Sequence, residues 1–177
     1  MENKKLLIIG MDGVSWNVLK PMIEKGCMPF LKDSIGKGKS GVLKSTEPPI
    51  TPTAWTSFMT GLEPEDHGVW GFRNFHFVNS RLEYELNNSS SMLNRNLWRI
   101  ISAYNKKVCV INLPLTYPAF EINGIMVSGF PVPAENGDKC TYPKDFLREL
   151  VSGKRWCFTR EADNPQIGVH HKDGYNL

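Results

Sequence analysis

Apolar positions recur along this chain with changing period, and each change marks the edge of an element. Residues 6–9 (L-L-I-I) are a continuous apolar run, the pattern of a parallel strand covered on both faces. It breaks at Gly10-Met11-Asp12-Gly13, which places the Asp12 carboxylate at the carboxyl end of that strand. Trp16, Val18, Leu19, Met22 and Ile23 recur at helical spacing behind Ser15, a good capping residue. Pro29, Phe30, Leu31 and Ile35 predict a second short helix that ends near Gly36 or Gly38. Residues 40–46 (S-G-V-L-K-S-T) read as a strand, and residues 75–86 as a β excursion followed by a polar loop at 87–91. Leu93, Leu97, Ile100, Ile101 and Tyr104 then predict an amphipathic helix, and residues 107–113 (K-V-C-V-I-N-L) a second buried strand. Asn123-Gly124 is a turn before a third short strand at 125–130, and Tyr142-Pro143 opens a helix with Phe146, Leu147, Leu150 and Val151. Beyond Gly153 the periodicity is weak. Strands alternating with helices predict an α/β domain with a mainly parallel sheet sandwiched by helices.

The stretch from 45 to 74 carries the most chemistry. Pro48 and Pro49 donate no hydrogen bonds, so the chain leaves the preceding strand there. Thr51 stands immediately before Pro52, Ala54, Trp55, Phe58 and Met59 follow at helical spacing, and Gly61 and Pro64 stop the helix. Thr51 is thereby held at a helix N-terminus, where exposed N–H groups and the positive end of the dipole favour an anion. A hydroxyl there can serve as a cap, a phosphate ligand or a nucleophile.

Composition narrows the choice of partners. With 177 residues, 41% of them hydrophobic, the chain is long enough for one domain, residues 1–177, with a real core. A net charge of +3 with no basic stripe argues against nucleic acid; Lys37, Lys39 and Lys44 read as a solvated strand end. Cys27, Cys109, Cys140 and Cys157 form no C-x-x-C pair and read as buried or incidental thiols of a reducing compartment. The first apolar run is too short for a signal peptide or a membrane span, so a soluble, cytoplasmic protein without membrane contact is expected. Gly10-Met11-Asp12-Gly13 lacks the G-x-G-x-x-G spacing of a dinucleotide site.

Asp12-Gly13 after the first strand, together with P-P-I-T-P-T-A-W-T-S-F-M-T-G-L-E-P-E-D-H-G, resembles the alkaline phosphatase superfamily, in particular its type I phosphodiesterase/nucleotide pyrophosphatase-like branch. I-N-L-P-L-T-Y-P at 111–118, N-G-I-M-V-S-G-F at 123–130 and T-Y-P at 141–143 are similar to the same branch. The resemblance implies that Asp12 binds one ion of a divalent pair, two Zn²⁺ with Mg²⁺ or Mn²⁺ as alternatives. It implies that Thr51 both binds metal and attacks phosphorus, forming a covalent phosphoryl-threonine on a small phosphorylated substrate. A metal would supply the activation that a Thr hydroxyl lacks near neutral pH, since no His or Lys lies near it in sequence. Sulfatases share the scaffold, but Thr51-Pro52-Thr53 has neither the Cys nor the Arg of their context.

The resemblance also implies further Asp and His ligands after Thr51, and no such pattern follows in matching context. Asp66-His67-Gly68 belongs to the helix stop, where His67 reads as a side chain that closes the loop by hydrogen bonding. Gly71 and Phe72 stand where many relatives carry an Asn or Asp, with Arg73 and Asn74 just beyond as candidate phosphate contacts in an exposed loop. His170, His171 and Asp173 are ligand-type residues, but neighbouring His residues on a strand face opposite ways. The chain therefore reads as the N-terminal half of an alkaline-phosphatase-like domain, inactive by itself and with an uncovered sheet edge through which copies would pair. The alternative is a non-catalytic α/β remnant that binds an anion or a partner. The catalytic reading further expects Asp12 and Thr51 within a few ångströms, at the carboxyl edge of a parallel sheet.

Overall fold

The computed structural model describes residues 5–92, 95–132, 139–146, 148, 156–158 and 169–171 of the 177. The chain divides into two compact units, Met1–Ser45 and Thr46–Leu177. In the first, helix α1 (Trp16–Glu24) begins after Ser15, whose carbonyl accepts from the Val18 and Leu19 amides, while its hydroxyl makes no capping bond. Helix α2 (Pro29–Lys37) has Pro29 in its first turn and stops at Gly38, whose N–H donates to the Ser34 carbonyl at 2.9 Å. The Trp16 indole donates to the Gly41 carbonyl at 2.9 Å and ties the following segment back to α1.

The strands expected at 6–9 and 40–46 do not form: no described strand pairs with either segment. Leu7 is 81% exposed and Leu43 94% exposed. An apolar run becomes a strand only where a neighbour completes its ladder and its faces are covered, and the described residues provide neither.

The second unit opens with α3 (Thr51–Thr60) and α4 (Pro64–His67), then the antiparallel hairpin β1 (Arg73–Val78) and β2 (Arg81–Leu86). The turn residues Asn79 and Ser80 both have positive φ, as a two-residue hairpin of this hand requires. A 3-10 turn (Ser89–Met92) leads to α5 (Leu97–Ala103). The helix starts at Leu97 because the buried Asn96 side chain caps it, accepting from the Arg99 amide at 3.0 Å. Trp98 is its buried residue, whereas Ile100 and Tyr104, expected on the core face, are exposed.

β3 (Val108–Leu113) runs parallel to β4 (Gly124–Ser128), and β5 (Thr141–Tyr142) pairs antiparallel with β4. Gly124 is required where it stands, since a Cβ there would lie 1.8 Å from the Val108 carbonyl oxygen. β3 is covered on one face only among the described residues: Val108 and Val110 are buried, while Cys109 and Ile111 are exposed. The last two strands, β6 (Trp156–Phe158) and β7 (Val169–His171), form a separate antiparallel pair. The helix expected after Tyr142-Pro143 falls largely outside the described residues.

The core of this unit joins Met59 of α3, Trp98 of α5, Val108 and Val110 of β3 and Met126 of β4 with Val69 and Leu115 from connecting segments. The result is a mixed α/β chain of helices and three small sheets, in which the one parallel pair among the described strands is β3–β4. No described helix is long and apolar enough to cross a membrane.

Met126 is fully buried at the centre of this core. Met126→Ala is expected to lower the unfolding free energy by roughly 2–5 kcal/mol, read by denaturant titration. Ile111→Ala, at a position 62% exposed, is expected to stay within about 0.5 kcal/mol of the parent.

Candidate active site

The approach to α3 is fixed by short polar contacts. The Thr46 hydroxyl and the Ile50 amide both donate to the Pro48 carbonyl, each at 3.0 Å. Ile50, in extended conformation, is the N-cap, and its carbonyl accepts from the Ala54 amide. Thr51 and Pro52 are therefore the first two helical residues, one position further into the helix than a Thr cap would be. Proline is tolerated there because an N–H in the first turn has no intrahelical acceptor. Gly61, left-handed at φ 67°, ends the helix and donates to the Ser57 carbonyl at 2.8 Å.

The buried face of α3 is lined mostly by threonines, with Trp55 half-buried at its edge. Pro52, Thr53, Thr56, Met59 and Thr60 are buried, whereas Phe58 is exposed and meets the Trp55 ring edge-on at 5.6 Å. Two of the buried hydroxyls are satisfied by the helix itself. Thr56 donates to the Pro52 carbonyl and Thr60 to the Thr56 carbonyl, each at 2.7 Å. The Thr53 hydroxyl, fully buried, finds no partner among the described residues.

His67 clasps α4 to α3. Its Nδ1 accepts from the Val69 amide at 3.0 Å, so the neutral ring carries its proton on Nε2. Nε2 lies 3.0 Å from the Ser57 hydroxyl, and the ring also hydrogen-bonds the Thr53 backbone. This is the loop-closing role expected of the residue, and it rules out Ser57 and His67 as a nucleophile and its base. A base would need a bare Nε2 facing the hydroxyl, and here that nitrogen is the donor. Burial lowers the His67 pKa from its ordinary 6.5, against the opposing pull of Asp66, Glu63, Glu65 and the Thr53 backbone bond. Ser57 and Thr53 were not singled out from sequence; the available signal was their spacing of four, which puts both on one side of the helix below the D-H-G turn.

Thr51 itself is half-buried in the first turn, and Asp12 is exposed in a turn of the first unit beside Gly13, whose φ is 65°. Arg73 and Asn74 are occupied within the hairpin. The Arg73 guanidinium sits 4.6 Å from the Tyr84 ring centroid, and the Asn74 amide donates to Glu85 at 3.4 Å. Phe72 packs edge-on against Phe130 at 5.2 Å. His170 and His171 hold successive register positions of β7, opposite Cys157 and Trp156, and Asp173 lies outside the described residues. No group of three or more His, Cys, Asp or Glu that could hold a metal occurs among the described residues.

Thr51 thus stands in the first turn of a core-anchored helix in a mixed α/β chain. The chain belongs to the type I phosphodiesterase / nucleotide pyrophosphatase family, which it matches over residues 6–168, and so to the alkaline phosphatase superfamily. No curated protein and no solved structure shows a match to it.

The clasp has a consequence for stability against pH. In the unfolded chain His67 takes up a proton near 6.5, and in the folded one only at a lower pH. The unfolded state therefore binds more protons in between, so the stabilisation from neutral His67 is present above 6.5 and is lost as pH falls through the lowered value. Protonation would also set an Nδ1–H against the Val69 N–H. The difference in melting temperature between the parent and His67→Ala is expected to be largest near pH 8 and to shrink towards pH 5, read by thermal scans at about unit intervals.

Proposed function

We propose that this chain carries the nucleophile of a hydrolase of phosphate mono- or diesters that works through a covalent phosphoryl-threonine at Thr51. The observation that carries the reading is the place of Thr51: first residue of a ten-residue helix whose opposite face is buried in the core. In this reading the Thr51 oxygen attacks phosphorus in line with the leaving oxygen, which departs with its bonding electron pair and takes up, through solvent, the proton that the Thr51 hydroxyl gives up. Water then attacks phosphorus, its oxygen staying in the released phosphate; the bond from phosphorus to Thr51 breaks and the threonine oxygen takes back a proton to regenerate the hydroxyl. The first-turn amides and the helix dipole stabilise charge on the phosphoryl oxygens throughout. His67 is not the base, because both its ring nitrogens are engaged by Val69, Ser57 and the Thr53 backbone.

The family is typically dependent on divalent metals. The described residues do not by themselves fit such a centre: a catalytic zinc normally takes three protein ligands, and no cluster of three is present among them. Asp12 and Thr51 remain the proposed donors towards a divalent pair, zinc or alternatively magnesium or manganese, with further donors supplied from elsewhere. The same shortage favours a second reading, an anion- or partner-binding module without turnover.

Asp12 and Thr51 are the two donors proposed among the described residues, and two donors hold a divalent pair weakly, so the 177-residue chain by itself is expected to show little or no hydrolysis of simple phosphate mono- or diesters with Zn²⁺, Mn²⁺ or Mg²⁺. A longer form carrying further donors is expected to turn them over and, on acid quenching, to carry one phosphoryl group on Thr51, read by peptide mass spectrometry. Thr51→Ala in that form is expected to remove the label and lower kcat/KM by at least about 10³-fold. Turnover that survives Thr51→Ala would remove Thr51 as the nucleophile. A longer form that binds inorganic phosphate without turnover would leave the second reading standing.

A further inference from the structure

The β1–β2 hairpin separates its residues sharply by face. Its register sets Phe75 opposite Tyr84, Phe77 opposite Leu82 and Arg73 opposite Leu86 on one side. On the other side Asn74 meets Glu85, His76 meets Glu83 and Val78 meets Arg81. The polar side is what water solvates, but the apolar side is also bare: Phe77 is 77% exposed, and Phe75, Leu82, Tyr84 and Leu86 are exposed as well. No third described strand pairs with the hairpin. An isolated two-stranded ribbon is marginal in water and becomes stable when its apolar face is packed.

We propose that this face is a homodimer interface, packed against the same face of a second copy of the chain. Chemistry and area both argue for a second copy over a different protein. The only formal charge on the face is Arg73, at the base of the hairpin, and its guanidinium already lies over the Tyr84 ring. A partner chosen by charge would have nothing to read, whereas an apolar face with its one charge at the rim is complementary to itself about a two-fold axis. Three aromatic and two leucine side chains at these exposures present on the order of 500 Å² per copy. Two copies would then bury about 1,000 Å², the lower limit of specific interfaces, which fits a reversible dimer. Face-to-face packing would leave His76, Arg81, Glu83 and Glu85 on the two outer surfaces in water.

Sedimentation or light scattering of the full chain across a concentration series tests this. The expected result is a mass that rises from one chain towards two. Phe77→Asp is expected to weaken the dimer by about 100-fold or more, because it sets a carboxylate in the buried centre. Leu82→Asp repeats the test from the other strand should the first variant fail to fold, as judged by circular dichroism. His76→Ser on the polar face is expected to leave association unchanged. A parent chain that stays at one-chain mass up to roughly 100 μM, or a dimer that survives both aspartate variants, would overturn the proposal.

Discussion

The second unit depends on how α3 buries three threonines. A hydroxyl removed from water without a partner costs about 1–3 kcal/mol, so a threonine-lined helix face can enter a core only if most of its hydroxyls are satisfied locally. Thr56 and Thr60 achieve this by donating to carbonyls one turn back, at 2.7 Å each. Their methyl groups can then pack beside Met59 in the same core as Val69, Trp98 and Met126. This anchoring fixes the helix axis, and the axis fixes where the first turn, with Thr51, points its amides. The His67 clasp adds a second constraint by joining α4 to the same helix through Ser57 and the Thr53 backbone. Position at the helix start and rigidity behind it thus come from different residues, which lets the first turn stay partly accessible while its support is buried.

Local punctuation made several elements readable from sequence. Pro29 and Gly38 bracket α2, and Gly61 and Gly68 end α3 and α4 in left-handed conformation, because proline and glycine act on the backbone of their own residue. Non-local properties were less legible. The apolar run at 6–9 looks like a covered strand, yet strand formation requires a neighbour that the run itself does not encode. β3 shows the same limit, with Val108 and Val110 inside and Ile111 outside. On α3, hydropathy points to Ala54, Trp55, Phe58 and Met59; Met59 lies in the core and Trp55 packs against it, but Phe58 is exposed and carbonyl-bonded threonines share the buried face, because back-bonding cancels the polarity that a hydropathy scale counts against them. The family, by contrast, was legible from the Thr-Pro helix start and its neighbours, since those residues are contiguous in the chain.

Exposed apolar surface is the feature that the two units share when each is taken by itself. In the first unit neither α1 nor α2 contains a buried residue, and Leu6, Leu7, Val42 and Leu43 stand open. In the second, Ile111 and one face of the hairpin are bare. Scattered exposed leucines need no explanation, but runs and whole sheet faces mark surfaces that pack against something. The hairpin differs from the runs in having a defined register and a clean division of faces, so its packing partner can be argued from chemistry. The runs at 6–9 and 42–43 have neither.

Among the hydroxyls of α3, Thr51 is set apart by position and exposure. The helix carries five of them, at 51, 53, 56, 57 and 60. Thr56 and Thr60 spend their protons on helix carbonyls inside the core, and an oxygen in that position has no path to a phosphorus atom outside it. Thr53 is fully enclosed. Ser57 faces the protonated Nε2 of His67 at 3.0 Å, and the neighbouring ring cannot take its proton while Val69 holds Nδ1 as an acceptor. Thr51 alone combines partial exposure with a place in the first turn, where amides converge on an anion. Thr56, Thr60 and Ser57 serve the helix and its clasp and Thr53 is enclosed in the core, so position and exposure, at the start of the helix, direct the proposed chemistry to its first residue.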